Sequence, residues 1–412
     1  MADITTATFD LNDPAVIADP YPHYRWLRDE APVHHTSAPD LWLLSRYDDV
    51  VMALRDNVRF SSDLYAAEDF SDNPFNPGQQ LPRWVTWLVN RLPPVRTLLT
   101  SDPPQHTRFR KKVSRAFAPR RMSALEPRIR EITEGLVAEL LARAARGERV
   151  DLVRDLAGPL PTVVIAELLG IPAERRDDFK RWSDDLTDGL LTGGNTRRMV
   201  TSAIAIRVFF GRTIRRRRRH PGDDLISLLI TPDADGRLNL FDLVNFCILL
   251  LVGGHETTTN LISNAVLALL DRPDLWQQLT EDPAGAATVV EEALRYDGPA
   301  QNLLRITTTD VTLHGVTIPA GARVLPLLGS ANRDPRHWDS PDDFRLDRNR
   351  NDHIAFGIGI HYCIANALAR MEAAIALEIL AARVPGLTRA GEPVRIPSPV
   401  LRGLRSLPMN TR

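Results

Sequence analysis

A single short stretch narrows the possible structures of this chain more than any other part of it. Residues 356–363 read Phe-Gly-Ile-Gly-Ile-His-Tyr-Cys and lead into an alanine- and leucine-rich segment with no proline before Pro385. That segment is typical of an α-helix, and the positive end of the helix favours a thiolate at Cys363. Gly357 and Gly359 permit tight turning and close approach of a flat ligand. The stretch therefore predicts a cysteine that binds a metal.

A lone cysteine is more often a small side chain of the core than a ligand. The other cysteine, Cys247, fits that description, because it lies in an unbroken apolar run with no glycine beside it. For Cys363, the two glycines, His361 and the downstream Arg370 favour a ligand instead. We therefore predict that Cys363 is functional and that Cys247 packs in the core.

The composition is that of an ordinary soluble globular protein, with 43% hydrophobic and 25% charged residues. A net charge of −1 gives no general affinity for nucleic acid, and the arginine run 215–219 is interpreted as a solvated helix end. The N-terminus lacks the basic start and apolar run of a signal peptide, and no stretch of transmembrane length is free of charge. We expect one cytoplasmic domain over residues 1–412, with residues 1–15 flexible.

Helical patterns dominate residues 102–292, and the longest of them covers 241–270. Strand-like alternation occurs at 41–45 and again at 311–319. Residues 60–100 are irregular and rich in proline. The chain is therefore predicted to be mainly α with a minor β-sheet contributed by both ends.

The longest predicted helix contains an unusual segment, residues 253–259, which reads Gly-Gly-His-Glu-Thr-Thr-Thr. Several of these residues are poor helix formers. Glycine has no side chain, so a ligand can approach that side of the helix closely. The threonine hydroxyl can bond to a carbonyl of the preceding turn and weaken the backbone hydrogen bonds there. The segment predicts a groove that holds water or a small ligand, although a packing kink would explain the glycines alone.

Two further motifs carry charge. Glu292 and Arg295 are three residues apart on a predicted helix and so lie on one face, where Glu291 competes as a partner. Such a pair is usually a weak surface interaction. His106 and Arg110 are four residues apart and also share a helical face.

Taken together, these motifs resemble those of the cytochromes P450, a family with haem–thiolate ligation. The stretch ending at Cys363, with Leu-Ala-Arg at 368–370, resembles the family's cysteine loop, and Gly-Gly-x-Glu-Thr resembles its distal helix. Ala365 departs from the pattern, since the family usually has glycine there, and we expect a slightly tighter fit under the haem. The resemblance extends from about residue 15 to residue 408 and implies the cytochrome P450 fold as one large domain.

The resemblance implies haem b (iron protoporphyrin IX) as cofactor, with the Cys363 thiolate as its axial metal ligand. The haem propionates require cationic or hydrogen-bonding partners. The implied cofactor-binding residues are His106, Arg110, Arg305, Phe356, Gly357, His361 and Cys363.

The resemblance also assigns residues away from the cysteine loop. Glu256 and Thr257 are implied as the catalytic acid–alcohol pair that delivers protons on the distal side of the haem. Glu292 and Arg295 are implied as a buried structural pair. The third member of that group stays open between Arg345 and Arg348, because residues 341–344 read Pro-Asp-Asp-Phe, with aspartate where the family has arginine.

The implied activity is monooxygenation. One atom of O2 is inserted into a mostly apolar small organic molecule, a natural-product intermediate, or the molecule is oxidatively coupled. The expected pocket residues are Trp84, Trp87, Leu249, Val252, Gly253, Gln301, Leu304 and Leu401. The alternatives are a peroxide-dependent peroxygenase or rearranging enzyme and a non-catalytic haem-binding protein. Gly253, Glu256 and Thr257 favour oxygen activation over both, because neither alternative requires a proton relay.

Electrons are expected from a ferredoxin and a ferredoxin reductase that uses NAD(P)H. An acidic ferredoxin would meet a basic face near the cysteine side of the haem and be steered to it by charge. The residues of that face are Arg108, Lys111, Lys112, Arg115, Arg120 and Arg121. The expected state is a monomer that contacts neither membrane nor nucleic acid.

Overall fold

Helices make up most of the part of the chain that the structure describes. A computed structural model describes residues 10–37, 39–64, 97–191, 194–232, 238–349 and 351–411. The α-helices, in chain order, are α1 (Pro14–Ala18), α2 (Tyr21–Glu30), α3 (Tyr47–Arg55), α4 (Gln105–Ser114), α5 (Pro119–Ser123), α6 (Glu126–Ala145), α7 (Pro159–Leu168), α8 (Arg176–Leu191), α9 (Thr196–Arg219), α10 (Leu225–Ile230), α11 (Leu240–Leu270), α12 (Pro273–Glu281), α13 (Ala286–Asp297), α14 (Leu328–Ala331) and α15 (Asn366–Arg383).

The strands are short and lie mainly towards the two ends of the chain. They are β1 (Val33–Ser37), β2 (Asp40–Leu44), β3 (Phe60–Ser61), β4 (Val150–Asp151), β5 (Arg305–Thr307), β6 (Val311–Leu313), β7 (Val316–Ile318), β8 (Arg323–Pro326), β9 (Thr388–Arg389), β10 (Val394–Arg395), β11 (Leu404–Ser406) and β12 (Pro408–Asn410). The largest sheet has the order β1-β2-β8-β5-β3, in which β2 and β8 are parallel and the other pairs antiparallel. This confirms the predicted class, mainly α with a minor sheet built from both ends.

Helix α11 is the centre of the fold. The side chain of Asn239 caps its first turn by accepting a hydrogen bond from the backbone N–H of Asp242 at 2.7 Å. The helix then packs against α7, α9, α13 and α15, and its buried side chains belong to the main hydrophobic core. By length and composition α11 could cross a membrane, but its apolar surface is used against these neighbouring helices.

The N-terminal segment was expected to be flexible over residues 1–15. Residues 1–9 lie outside the described residues. From residue 10 onward the chain is ordered against the sheet: Leu11 and Val16 are each 4% exposed and join a core cluster with Leu41 and Leu325. The described part of this segment therefore packs on the protein.

Glu292 and Arg295 form a buried pair on α13, as the resemblance implied. Arg295 donates from Nε and Nη2 to the two carboxylate oxygens of Glu292 at 2.8 and 2.7 Å. Its remaining donors reach the backbone carbonyls of Asn332, Pro341 and Asp343 at 2.8–3.0 Å. The pair thus fastens α13 to the chain that leads towards the cysteine loop.

The third member of this group is Arg348. Its Nε donates to Glu292 Oε1 at 3.0 Å, whereas Arg345 contributes only its backbone N–H, at 2.8 Å, and turns its guanidinium to Asp347. Glu291 does not compete for Arg295, because it pairs with Arg370 at 2.5 Å. The alternative left open by the sequence is therefore resolved in favour of Arg348.

Candidate active site

The loop before Cys363 folds as the glycine spacing predicted. The backbone N–H of Cys363 donates to the carbonyl of Phe356 at 2.9 Å and closes the loop. Gly357 and Gly359 have φ values of +70° and +74°, which L-residues with side chains rarely adopt. A Cβ at Gly359 would also lie 3.0 Å from the backbone oxygen of Leu54 on α3. Both glycines are therefore required by the backbone.

Ala365, the departure from the family pattern, is accommodated without strain. Its backbone has φ −95° and ψ 13° and forms the N-cap of α15, a conformation open to any residue. Its side chain lines the cavity above the loop. The slightly tighter fit under the haem stays a prediction.

A large cavity lies between the cysteine loop and α11. Its cysteine side includes Phe356, Gly357, His361, Cys363 and Ala365. Its opposite side includes residues of α7 and α11, namely Ile165, Phe246, Leu249, Leu250, Gly253, Gly254, Thr257, Thr258 and Leu261. A Cβ at Gly253 would meet nothing within 4 Å, so the glycine widens the space as predicted.

The groups around Cys363 have opposing effects on the pKa of its thiol. Burial raises the pKa of the thiol above its ordinary value, while the backbone N–H of Ala365 and the cations Arg110 and Arg370 lower it in part. These groups would stabilise a thiolate, and coordination to a metal deprotonates a thiol outright. Cys247 has no such neighbours: burial raises its pKa strongly, and it packs in the main core as predicted.

Four polar side chains predicted to bind the cofactor converge at one edge of the cavity. The rings of His106 and His361 lie 4.4 Å apart, centroid to centroid, and Arg110 donates to the carbonyl of Tyr362 at 2.7 Å. Arg305 is 3% exposed. Burial lowers its pKa to about 10, and burial together with Arg305 lowers the pKa of His361 to about 3.

This edge is short of hydrogen-bond acceptors. Both ring nitrogens of His106, Nε2 of His361 and Nη2 of Arg305 are buried and have no partner. Arg305 Nη2 is a donor and one nitrogen of a neutral His106 is another, whereas Nε2 of neutral His361 carries a lone pair and becomes a donor only on protonation. Buried donors left unpaired are costly and rare in folded proteins. An anionic ligand with two carboxylates would supply the missing acceptors, so the residues fit the propionates of a haem held over Cys363.

In the structure, only one member of the predicted acid–alcohol pair lines the cavity. Thr257 lines the cavity, and its hydroxyl donates to the carbonyl of Gly253 at 2.7 Å, the bond to the preceding turn that the sequence suggested. Glu256 is not part of the cavity wall. Its carboxylate lies 3.3 Å from Nε2 of His255, on the side of α8.

The predicted pocket residues are only partly brought together. Leu249 and Gly253 line the cavity, and Trp84 and Trp87 lie outside the described residues. Four others, namely Val252, Gln301, Leu304 and Leu401, are not among the residues that line it. Val252 packs partly buried against the main core, and Leu304 packs against the cluster that contains Leu41 and Leu325.

Local bonding holds two of these residues, Gln301 and Leu401. Gln301 is 3% exposed and donates through its side-chain amide to the carbonyl of Gly298 at 2.9 Å. Leu401 forms an isolated β-bridge with Ala300, so Ala300 instead of Leu401 lines the cavity. Sequence position alone could not indicate these backbone pairings.

Several lining residues were not anticipated. Phe246 precedes Leu249, Leu250 and Gly253 by three, four and seven residues, so the helical period could have identified it. Glu372 on α15 also reaches the cavity. It is 2% exposed, one of its carboxylate oxygens has no partner, and burial raises its pKa to about 8.

Comparison with known proteins places this site in a wider context. A family model described as Cytochrome P450 matches residues 286–382. The vitamin D(3) 25-hydroxylase of Pseudonocardia autotrophica is 41% identical and covers 99% of this chain and 98% of its own. Cytochrome P450 monooxygenase PikC of Streptomyces venezuelae is 40% identical, over 96% of this chain and 92% of its own. The structure of CYP109Q5 from Chondromyces apiculatus has a TM-score of 0.87 at 37% identity, over 98% of each chain.

Proposed function

Because the chain belongs to the cytochrome P450 family, we propose that its cavity binds and oxidises an uncharged, mostly apolar natural product. The protein is a haem–thiolate monooxygenase, and the relatives do not favour the peroxygenase or carrier alternatives. The observation that carries the substrate class is the distal wall of the cavity. The described lining residues of α7 and α11 include no ionisable side chain, so this wall offers apolar contact and no partner for a charged substrate.

The residues of this chain have distinct tasks in that reaction. Cys363 would supply the thiolate ligand of the haem iron, and His106, Arg110, Arg305 and His361 would hold the propionates. When bound, haem supplies the thiolate-ligated iron that activates dioxygen. Thr257 holds water at the cavity wall, and Glu256 brings protons to it from the solvent side of α11.

The first experiment tests the reaction class. The reduced protein is examined by carbon monoxide difference spectroscopy, and product is then measured with ferredoxin, reductase and NAD(P)H or with peroxide alone. A thiolate-type spectrum and product only with the electron donors are expected. Equal product with peroxide alone would contradict the proposal. Cys363→Ala should abolish the thiolate-type spectrum, whereas Cys247→Ala, in the core, should keep it.

The second experiment tests the substrate class. A library of neutral apolar compounds, including sterols and macrolides, is screened for the change in haem spin state on binding, and each hit is paired with a carboxylated analogue. Two relatives named above are a vitamin D(3) hydroxylase and a PikC monooxygenase, which supports that choice of library. Neutral hits should bind at least tenfold more tightly than their carboxylates, because a charge buried at an apolar wall is unfavourable. Preference for the carboxylates would overturn this proposal.

The role of Thr257 is tested by Thr257→Ala. We expect retained haem but electrons diverted from product to hydrogen peroxide, because the cavity loses its hydroxyl. Thr259→Ala is the matched control, since the Thr259 hydroxyl bonds to the carbonyl of His255 at 2.9 Å and is not part of the cavity wall. Unchanged coupling of electron use to product in Thr257→Ala would contradict the assignment.

The family uses redox partners, and we propose a ferredoxin with its reductase, acting on a cytoplasmic monomer. Arg108, Lys111, Arg115, Arg120 and Arg121 are exposed on α4 and α5 or beside them, and α5 contacts α15, the helix after Cys363. Lys112, which the sequence assigned to the same face, is buried at 8% exposure and is excluded from it.

Charge reversal of this face tests the docking. Reduction by ferredoxin should slow as salt rises, and Arg120→Glu with Arg121→Glu should slow it further at low salt. Arg218→Glu with Arg219→Glu, on the exposed end of α9, is the matched control with the same change in net charge. Equal effects of the two double variants would argue against this face.

A further inference from the structure

His255, the residue before Glu256, is buried and held in one orientation. Its ring is 3% exposed, and its Nδ1 lies 2.9 Å from the carbonyl oxygen of Leu251 and 3.2 Å from the hydroxyl of Ser183 on α8. A carbonyl oxygen can only accept a hydrogen bond. Nδ1 therefore carries a proton, and only Nε2 is left to exchange one.

Nε2 of His255 faces two carboxylates. It lies 3.3 Å from Glu256 Oε2 and 3.8 Å from Asp184 Oδ1. Asp184, on α8, is about half exposed and is held by Lys180 at 2.6 Å. A neutral ring would direct its Nε2 lone pair at both carboxylates, whereas a charged ring attracts them. Nε2 makes no hydrogen bond of good geometry, but both carboxylates lie within ion-pair distance of it, so the arrangement favours an imidazolium between a solvent-facing acid and Glu256.

The surrounding charges agree with this geometry. Burial acts to lower the pKa of His255, but Asp184, Glu256 and the carbonyl of Leu251 outweigh it, and the pKa lies above its ordinary value. The ionisable groups facing the ring are Asp184 from α8, with Lys180 behind it, and Glu256 from α11 itself. Helix α7 meets this part of α11 with the apolar Ile165, at Gly254.

We propose that charged His255 is a positioning residue that anchors Glu256 between solvent-facing Asp184 and the Thr257 side of α11. Loss of the ring proton removes this anchor, so proton supply to the cavity declines as pH rises. The inference rests on the proposed roles of Glu256 and Thr257. It adds a titrating group and a link to α8 that those roles do not contain.

The first test measures the charge of the ring directly. The reduced, carbon monoxide-bound protein is labelled at histidine and titrated by NMR, with the His255 signal identified by its absence in His255→Gln. The titration midpoint should lie above the roughly 6.5 of a free histidine and should fall in Asp184→Asn. A midpoint below that of free histidine, or one unaffected by Asp184→Asn, would overturn the proposal.

The second test measures product per NAD(P)H between pH 6 and 9. The wild type should lose coupling as pH rises through the NMR midpoint. His255→Gln should be lower by roughly tenfold at pH 7, less than the roughly hundredfold or more expected for loss of a proton-transfer group itself, and should lack this pH dependence. His35→Gln is the matched control, because His35 pairs with Asp40 at 2.7 Å on the exposed β1–β2 hairpin, and it should follow the wild-type profile.

The outcomes separate this inference from the proposed function. Wild-type protein that forms no product with its electron donors contradicts the proposed function, whatever the variants do. A wild type that turns over normally, with His255→Gln showing the same pH profile, overturns the role of His255 alone. Should His255→Gln bind haem poorly, Asp184→Asn, at a half-exposed position, carries the test by shifting the profile to lower pH.

Discussion

Two groups of buried polar residues in this protein differ in how completely they are hydrogen bonded. In the structural cluster, Glu292, Arg295 and Arg348, the two carboxylate oxygens and the guanidinium groups bond to each other and to backbone carbonyls. In the cofactor cluster, which comprises His106, Arg110, Arg305 and His361, four buried nitrogens have no partner. Each group contains fully buried members, Glu292 and Arg295 in the structural cluster and His106 and Arg305 in the cofactor cluster, so exposure alone does not explain the contrast.

The difference indicates what each group is for. The paired charges of the structural cluster hold elements of the fold together, whereas the unpaired nitrogens of the cofactor cluster lie around His361, which lines the cavity that a ligand would fill. Pairing within the chain, together with position beside the cavity, therefore separates these two clusters. Substitutions that change one cluster at a time test this contrast.

The largest effect is expected from breaking the structural cluster. Glu292→Ala leaves two buried guanidinium groups without their carboxylate and should lower the free energy of unfolding by about 3–5 kcal/mol. Equilibrium unfolding in urea, followed by circular dichroism, measures the change. A free energy of unfolding within about 1 kcal/mol of wild type would show that the cluster does not hold the fold.

Glu372 resembles the cofactor cluster in having an unpaired buried atom, but it is an acid. Burial raises the pKa of Glu372 to about 8, above its value in the unfolded chain. The free energy of unfolding is therefore at its full value below the unfolded-chain pKa of this group, and part of it is lost as pH rises through about 8. The loss has a slope of up to about 1.4 kcal/mol per pH unit. Glu372→Gln should remove this slope and become more stable than wild type at pH 9. Urea unfolding at pH 6 and pH 9 checks it; parallel pH dependences of the two proteins would contradict it.

Arg305 tests the cofactor cluster. Arg305→Met removes a buried cation with an unpaired nitrogen, so the haem-free chain should be at least as stable as wild type. Haem should leave the variant roughly tenfold faster, since a charge-assisted hydrogen bond to a propionate is lost. Transfer of haem to a scavenging apoprotein gives the rate. If Arg305→Met destabilises the haem-free chain as strongly as Glu292→Ala, the distinction between the two clusters fails.

Local rules allowed much of this site to be predicted from the sequence. The glycine spacing before Cys363 specified a backbone that only glycine adopts readily, and the long apolar period specified α11. The residues Glu292, Arg295 and Cys363 could be identified because their partners lie within a few positions or follow a family motif.

The parts that could not be predicted depend on contacts between distant segments. Position in the sequence predicts Val252 and Gln301 in the pocket, but neither is among the residues that line the cavity, and the Gln301 amide is bonded to the carbonyl of Gly298. The link from Glu256 through His255 to Asp184 joins two helices, and His255 and Asp184 are 71 residues apart in the sequence. Neither helix alone carries a signal for that pairing.

The smallest effect is expected at Arg345, the residue that the sequence could not distinguish from Arg348. Arg345→Ala removes a guanidinium that faces Asp347 in solvent but keeps the backbone N–H that donates to Glu292. It should therefore leave the melting temperature unchanged, whereas Arg348→Ala should lower the free energy of unfolding by about 1.5–3 kcal/mol. Thermal and urea unfolding of the two variants side by side measure this. A loss at Arg345 equal to that at Arg348 would mean that side-chain charge near Glu292, and not direct pairing with it, stabilises the structural cluster.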